Sequence, residues 1–88
     1  MTLHSFDISA KDKGNHWIEG TINDFTFQAK VYAAGSKFGI NGGPVSKLTV
    51  WETKKSPASA IISYDRGWDK KPETGEHKAL LQALLLYL

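Results

Sequence analysis

The chain has no cysteine. Disulfide staples, cysteine zinc sites and a cysteine nucleophile are therefore excluded, and a reducing compartment fits. It also lacks a strong excess of either charge: 11 basic and 9 acidic residues leave a net charge of +2. That balance argues against duplex DNA, whose binders carry a clear basic patch, but it suits a small anionic ligand held by a few local cations. Long apolar runs are missing. The most apolar stretch, residues 79–88, is ten residues long and contains Gln82, against the ~20 needed to cross a bilayer. Residues 1–10 have neither the basic start nor the apolar segment of a secretory signal. A cytoplasmic protein without membrane association is expected. Catalytic signatures are absent as well. There is no G-x-S-x-G turn, and His4, His16 and His77 stand far apart without the spacing of an H-E-x-x-H zinc pair. The reading is a non-enzyme with no catalytic residue, no metal site and no resident cofactor.

What is present is ordinary globular composition, 41% hydrophobic and 23% charged over 88 residues. This length is read as one domain, residues 1–88, whose thin core would gain from association with a second copy. Leu3, Phe6 and Ile8 suggest a short first strand, and residues 10–15 (Ala-Lys-Asp-Lys-Gly-Asn) read as a loop. Residues 17–22 and 25–32 flank Asn23-Asp24, a pair suited to a two-residue type I′ turn with positive φ at both centres. That turn sets Ile22 against Phe25, Gly20 against Phe27 and Ile18 against Ala29 on the core side, with the Phe27 ring covering Gly20. Trp17, Glu19, Thr21, Thr26, Gln28, Lys30 and Tyr32 fall on the other face, Trp17 opposite Lys30. The aromatics there suit a subunit contact or stacking on a ligand ring.

Residues 45–52 read as the next strand, with Ser46, Leu48 and Val50 on one face and Val45, Lys47, Thr49 and Trp51 on the other. Lys54-Lys55-Ser56-Pro57 reads as a solvated loop and residues 60–65 as the last strand. Thr74 has the chemistry of a helix N-cap, with Glu76 in the first turn. The helix is predicted over residues 75–88, with Leu81, Leu84, Leu85 and Leu88 as the stripe that covers the sheet. Ala79, Leu80, Leu86 and Tyr87 lie outside that stripe, so the helix is apolar on nearly all sides. One thin sheet cannot bury it, and a dimer or tetramer is expected.

Two stretches carry possible chemistry. The first, Gly35-Ser36-Lys37-Phe38-Gly39-Ile40-Asn41-Gly42-Gly43-Pro44-Val45-Ser46-Lys47, packs four glycines into nine residues. It fits either a nest of backbone N–H groups for an anion or a plain glycine-rich connection, and it matches no standard phosphate motif. The second is Tyr64-Asp65-Arg66-Gly67-Trp68-Asp69. There Arg66 offers a planar fork for phosphate or a base edge, and Tyr64 and Trp68 offer stacking surfaces. The alternative is a structural corner in which Arg66 pairs with Asp65 or Asp69 and Trp68 plugs the helix–sheet junction. Together the two stretches supply what a nucleotide site needs. The expected ligand-binding set is Ser36, Lys37, Phe38, Asn41, Gly42, Gly43, Lys47, Tyr64, Arg66 and Trp68. In that set glycine N–H groups and lysines hold phosphate, and Asn41 reads a base or ribose hydroxyl.

At these residues, with Trp17-Ile18-Glu19-Gly20 and Phe25-Thr26-Phe27-Gln28-Ala29-Lys30-Val31-Tyr32, the sequence resembles a set of small phage and prophage proteins of unassigned function. An Arg is expected after the double glycine in that set, where this chain has Pro44. Small phage proteins of this type include anti-CBASS and anti-Thoeris sponges, oligomers that sequester nucleotide immune signals without cleaving them. The resemblance thus implies a binder of a nucleotide second messenger, a cyclic dinucleotide or an ADP-ribose derivative, in an infected bacterial host. The runner-up is a protein-directed inhibitor of a host defence enzyme, of the anti-CRISPR kind. A single-strand nucleic-acid module is the third reading. The expected fold is α+β: an antiparallel sheet of four or five strands with one C-terminal helix packed across it.

Overall fold

Alternating apolar residues from Ile18 to Val31 build the centre of the sheet. In the computed structural model, which describes residues 6–52 and 59–88, they form β2 (Trp17–Ile22) and β3 (Phe25–Val31). The register is the expected one: Ile22 opposes Phe25, Gly20 opposes Phe27, Ile18 opposes Ala29 and Trp17 opposes Lys30. Ile22, Phe27 and Ala29 are buried. The two-residue turn holds, but among the described residues only Asn23 of the pair takes positive φ, 52°. Asn23 also reaches across to the chain before β1. Its Oδ1 accepts from the Asp7 N–H at 2.9 Å, and its own N–H donates to the Asp7 carbonyl at 2.9 Å. The turn therefore anchors the chain entering the sheet.

Four further strands, β1 (Ile8–Gly14), β4 (Val45–Trp51), β5 (Ala60–Asp65) and β6 (Trp68–Lys70), complete a six-stranded sheet. Neighbours in sequence are neighbours in space, and every pair is antiparallel. The sheet thus has six strands rather than four or five. Residues 10–14 belong to β1 and not to a loop. Their polar composition hides this, because β1 is an edge strand and its charges face water. Asn15 and His16, at φ 54° and 72°, form the tight turn that folds β1 onto β2. Gly20 is where this pairing becomes close. A Cβ there would overlap the Ser9 carbonyl oxygen and lie 2.7 Å from Ala10 Cα. The β1 backbone by itself requires the glycine. Residue 3 and the loop 54–57 lie outside the described residues.

Two of the register shifts in the sheet adjust the faces around the core. In β4, Lys30 opposes Lys47 while Val31 opposes Val45, so Ser46 is an extra residue. Val45 thereby joins the core, 2% exposed, instead of the outer face to which simple alternation assigns it. In β5, Val50 opposes Ile62 and Trp51 opposes Ala60, leaving Ile61 as the extra residue. Ile61 and Ile62 are both buried as a result.

Helix α1 (Gly75–Tyr87) starts as expected: the Thr74 hydroxyl accepts from the His77 N–H at 3.0 Å, and Glu76 lies in the first turn. Its buried residues are Leu80, Leu81 and Leu84. Leu80 belongs to the buried face, which is rotated toward it, while Leu85 and Leu88 are only half-buried. Each of the three buried leucines contributes about 1.5–3 kcal/mol. Leu86 and Tyr87 stay exposed, 88% and 51%, so the chain by itself does not surround the helix. No helix among the described residues is long and apolar enough to cross a membrane.

Candidate functional site

With one face of the sheet under α1, the chemistry lies on the other. One cross-strand row runs Trp17, Lys30, Lys47, Asp65 over β2 to β5. Lys30 points outward because Ala29 and Val31 point inward, and Lys47 because Leu48 does. Two like charges directly opposite each other destabilise a sheet. Here the repulsion is eased in two ways. The Lys30 and Lys47 ammonium groups lie 5.6 and 6.0 Å from the Trp17 ring centroid, and Lys30 is also 5.7 Å from that of Tyr32. The Asp65 carboxylate stands 3.8 Å from Lys47 Nζ and 3.6 Å from Arg66 Nε. Both separations exceed hydrogen-bond length, and the three side chains are well exposed, so these are loose surface pairs worth ~0–1 kcal/mol.

Arg66 is carried by the connection between β5 and β6, where Tyr64 opposes Trp68. It sits at φ 55°, and its N–H donates to the Ser46 carbonyl at 2.9 Å, which ties the connection to the β4 bulge. The loop of residues 32–44 closes the other side. Its base is fixed by the Tyr32 N–H donating to the Pro44 carbonyl at 2.9 Å. The Tyr64 hydroxyl, from a side chain otherwise buried, donates to the Phe38 carbonyl at 2.8 Å. The two chemistry-bearing stretches, far apart in sequence, therefore meet in space.

Between them lies a cleft of about 430 Å³, lined by Lys30, Tyr32, Ser36, Phe38, Ser46, Lys47 and Arg66. This is within the ~300–1,000 Å³ of small-molecule sites. Tyr32 and Phe38 are 40% and 50% exposed. The Tyr32 ring also packs against His16, with centroids 4.7 Å apart. Ser46, the buried polar side chain among the described residues, borders the cleft.

Of the expected ligand-binding residues, Ser36, Phe38, Lys47 and Arg66 line this cleft. Lys37 stands beside it, its ammonium 5.2 Å from the Phe38 ring centroid. Tyr64 is a support beneath the loop, and Trp68 packs edge-on against Tyr64 at 5.0 Å. Asn41 and Gly43 border a different, smaller hollow of about 240 Å³ against Gln82, Leu85 and Leu86 of α1. Pro44 borders that hollow too.

The glycines of the loop also differ from a nest. The N–H groups of Ser36, Gly39, Gly42 and Gly43 donate to carbonyls within the loop, and that of Phe38 to the Ser36 hydroxyl. A Cβ on Gly35 would overlap the Gly42 carbonyl, and one on Gly39 the Gly43 carbonyl. These glycines let the loop fold back on itself; the groups facing the cleft are side chains. Lys30, Tyr32 and Ser46 are cleft residues outside the expected ligand-binding set, although Tyr32 is one of the outer-face aromatics suited to stacking and Ser46 flanks the glycine-rich stretch. The outward placement of Lys30 and Tyr32 is legible, but not the β3–β4 register that sets Lys30 against Lys47.

No curated protein and no solved structure matches the chain. A family model described as a domain of unknown function, DUF7678, matches residues 16–88, which take in every element except β1, and the chain belongs to that family.

Proposed function

We propose that this protein binds a nucleotide in the cleft and holds it without cleaving it. The observation that carries the reading is the directly opposed Lys30–Lys47 pair. A sheet gains nothing from facing two ammonium groups across a strand pair, whereas an anion between them turns the repulsion into binding. Arg66 adds a fork suited to phosphate. Phe38 and Tyr32 supply ring faces for a base, a contact worth ~1–3 kcal/mol per base. Ser36 and Ser46 supply hydroxyl donors and acceptors.

The finer reading is that of a phage-encoded anti-defence sponge, which removes a nucleotide immune signal from the cytoplasm of an infected bacterium. It rests on the resemblance to small phage proteins and on the suitability of the cleft. A homo-oligomer is part of that reading, supported by the exposed Leu86 and Tyr87 at the end of α1. The same exposed pair favours the second reading, an inhibitor that docks on a host protein. A single-strand polynucleotide is disfavoured by the next outward row, Lys11, Glu19, Gln28, Thr49, Ser63 and Lys70, whose two lysines stand at opposite edges of the sheet with none between them, so that a backbone meets no continuous basic track. Thermal-shift screening against nucleoside mono- and diphosphates, cyclic di- and trinucleotides and ADP-ribose derivatives tests the proposal. A rise in Tm with at least one compound, lost in Lys47→Gln, is expected; no rise across the panel removes the reading. Recovery of the bound compound unaltered after prolonged incubation is expected of a binder, and release of a product would make the protein an enzyme.

A further inference from the structure

We infer that the cleft selects ligands carrying two adjacent negative charges beside a flat ring, a phosphomonoester or a pyrophosphate, over those whose phosphates are isolated diesters. The inference rests on the nucleotide reading of the same cleft and names the class of nucleotide. Its basis is the charge inventory of the site. Lys30, Lys47 and Arg66 line the cleft, and Asp65 is the carboxylate paired with two of them. Three cations against one carboxylate leave an excess of two positive charges in a single small hollow.

The placement of these charges matters as much as their number. Lys30 and Lys47 are nearest cross-strand neighbours, and both ammonium groups converge on the Trp17 ring. Arg66 is drawn toward Lys47 by the carboxylate they share. The three cations are therefore clustered in one cleft, with Lys47 common to both groupings. A phosphomonoester brings about −1.5 to −2 at pH 7 to one spot, and a pyrophosphate brings two charges on linked phosphates. A phosphodiester brings one. In a cyclic dinucleotide the two diesters sit on opposite sides of a macrocycle, so a single cluster meets only one of them.

Asp65 sets the threshold. It is the counter-charge of Lys47 and Arg66, at separations too long for hydrogen bonds. An incoming anion competes with it, and a doubly charged group competes better than a singly charged one. Asp65 is thus a specificity residue that suppresses weak anions.

The experiment is calorimetric titration of the full chain at constant ionic strength. The probes are the 5′-monophosphates of adenosine, guanosine, cytidine and uridine, their 3′,5′-cyclic monophosphates, ADP-ribose and cyclic di-AMP. For the best base, the monophosphate or ADP-ribose is expected to bind at least tenfold tighter than the cyclic monophosphate, with cyclic di-AMP no better than cyclic AMP. Tighter binding of ADP-ribose than AMP assigns the charges to a pyrophosphate, and the reverse order assigns them to a terminal monoester. Asp65→Asn is expected to tighten the cyclic monophosphate at least threefold more than the monophosphate, narrowing the ratio between them; an unchanged ratio overturns the role of Asp65. A ratio below tenfold, or cyclic di-AMP binding as tightly as the best of the others, overturns the inference while leaving a nucleotide site. Binding by none of the compounds overturns the nucleotide reading itself.

Discussion

Replacing Gly20 by alanine puts the β1–β2 pairing to a quantitative test. The added Cβ would overlap the Ser9 carbonyl and lie 2.7 Å from Ala10 Cα. Carbon atoms rest about 3.5–4.0 Å apart, so the β1 backbone must retreat by about 1 Å. Both neighbours are backbone atoms, and β1 is pinned on either side of them. Ile8 opposes Ile22, Asp12 opposes Ile18, and Phe6, Ile8 and Ala10 pack against the core. Overpacking of this kind costs about 1–3 kcal/mol. Losing a strand glycine returns about 0.4–1 kcal/mol through the unfolded state. Because both clashes are with backbone, the upper part of the first range, about 2–3 kcal/mol, applies, and the net destabilisation is about 1–2.6 kcal/mol, or roughly 4–21 °C in Tm for a domain of this size. Thermal and urea unfolding followed by circular dichroism measure it, with faster amide exchange in β1 as the local signature. Gly67→Ala is the control, because a Cβ there meets nothing within 4 Å. A Gly20→Ala protein as stable as wild type, or more so, would refute the close approach of β1 and with it the assignment of residues 10–14 to the sheet.

Three more expectations follow from the same geometry. Tyr64→Phe removes the donor to the Phe38 carbonyl; a loss of about 1 kcal/mol in urea unfolding is expected, with faster amide exchange across residues 36–43, and unchanged exchange would mean that the loop is held elsewhere. Lys30→Gln removes half of an opposed like-charge pair worth about 0.2–1 kcal/mol together with two cation–π contacts of similar size. Its Tm should stay within a few degrees of wild type while nucleotide affinity falls at least tenfold; unfolding would instead give Lys30 a structural role. Leu86→Asp alters a side chain 88% exposed in the single chain. If copies associate through this end of α1, light scattering should show the dimer or tetramer of the wild type become a monomer, and a monomeric wild type would remove the oligomer.

The legible parts of this fold are those where one residue pins a register. Asn23-Asp24 fixes β2 against β3, and Thr74 with the leucines that follow announces α1. Of β1 only the start at Ile8 is legible, because Ala-Lys-Asp-Lys-Gly has the composition of a loop. It becomes a strand through the Asn15-His16 turn and the space left by Gly20. β6 is three residues long and shows no periodicity. The bulges at Ser46 and Ile61 shift side chains between faces without a local signal, which is why simple alternation places Val45 outward.

The candidate site divides in the same way. Ser36, Phe38, Lys47 and Arg66 are readable as convergent chemistry. Lys30 and Tyr32 cannot be joined to them from sequence, because thirteen residues separate β3 from β4 and leave that register open. The glycines suggest an anion nest that the loop does not form, since sequence does not show where an N–H group donates.

The most direct test of the cleft is a ¹⁵N-resolved NMR titration of the full chain with ADP-ribose and adenosine 5′-monophosphate. Binding in the cleft is expected to move the amide resonances of Tyr32, Ser36, Phe38, Ser46, Lys47 and Arg66, and to leave those of Asn41 and Gln82 in place. Arg66→Ala should abolish these shifts while the rest of the spectrum stays folded. Shifts centred on Asn41, Gln82 and Leu86, or an Arg66→Ala protein that responds as wild type does, would contradict the account.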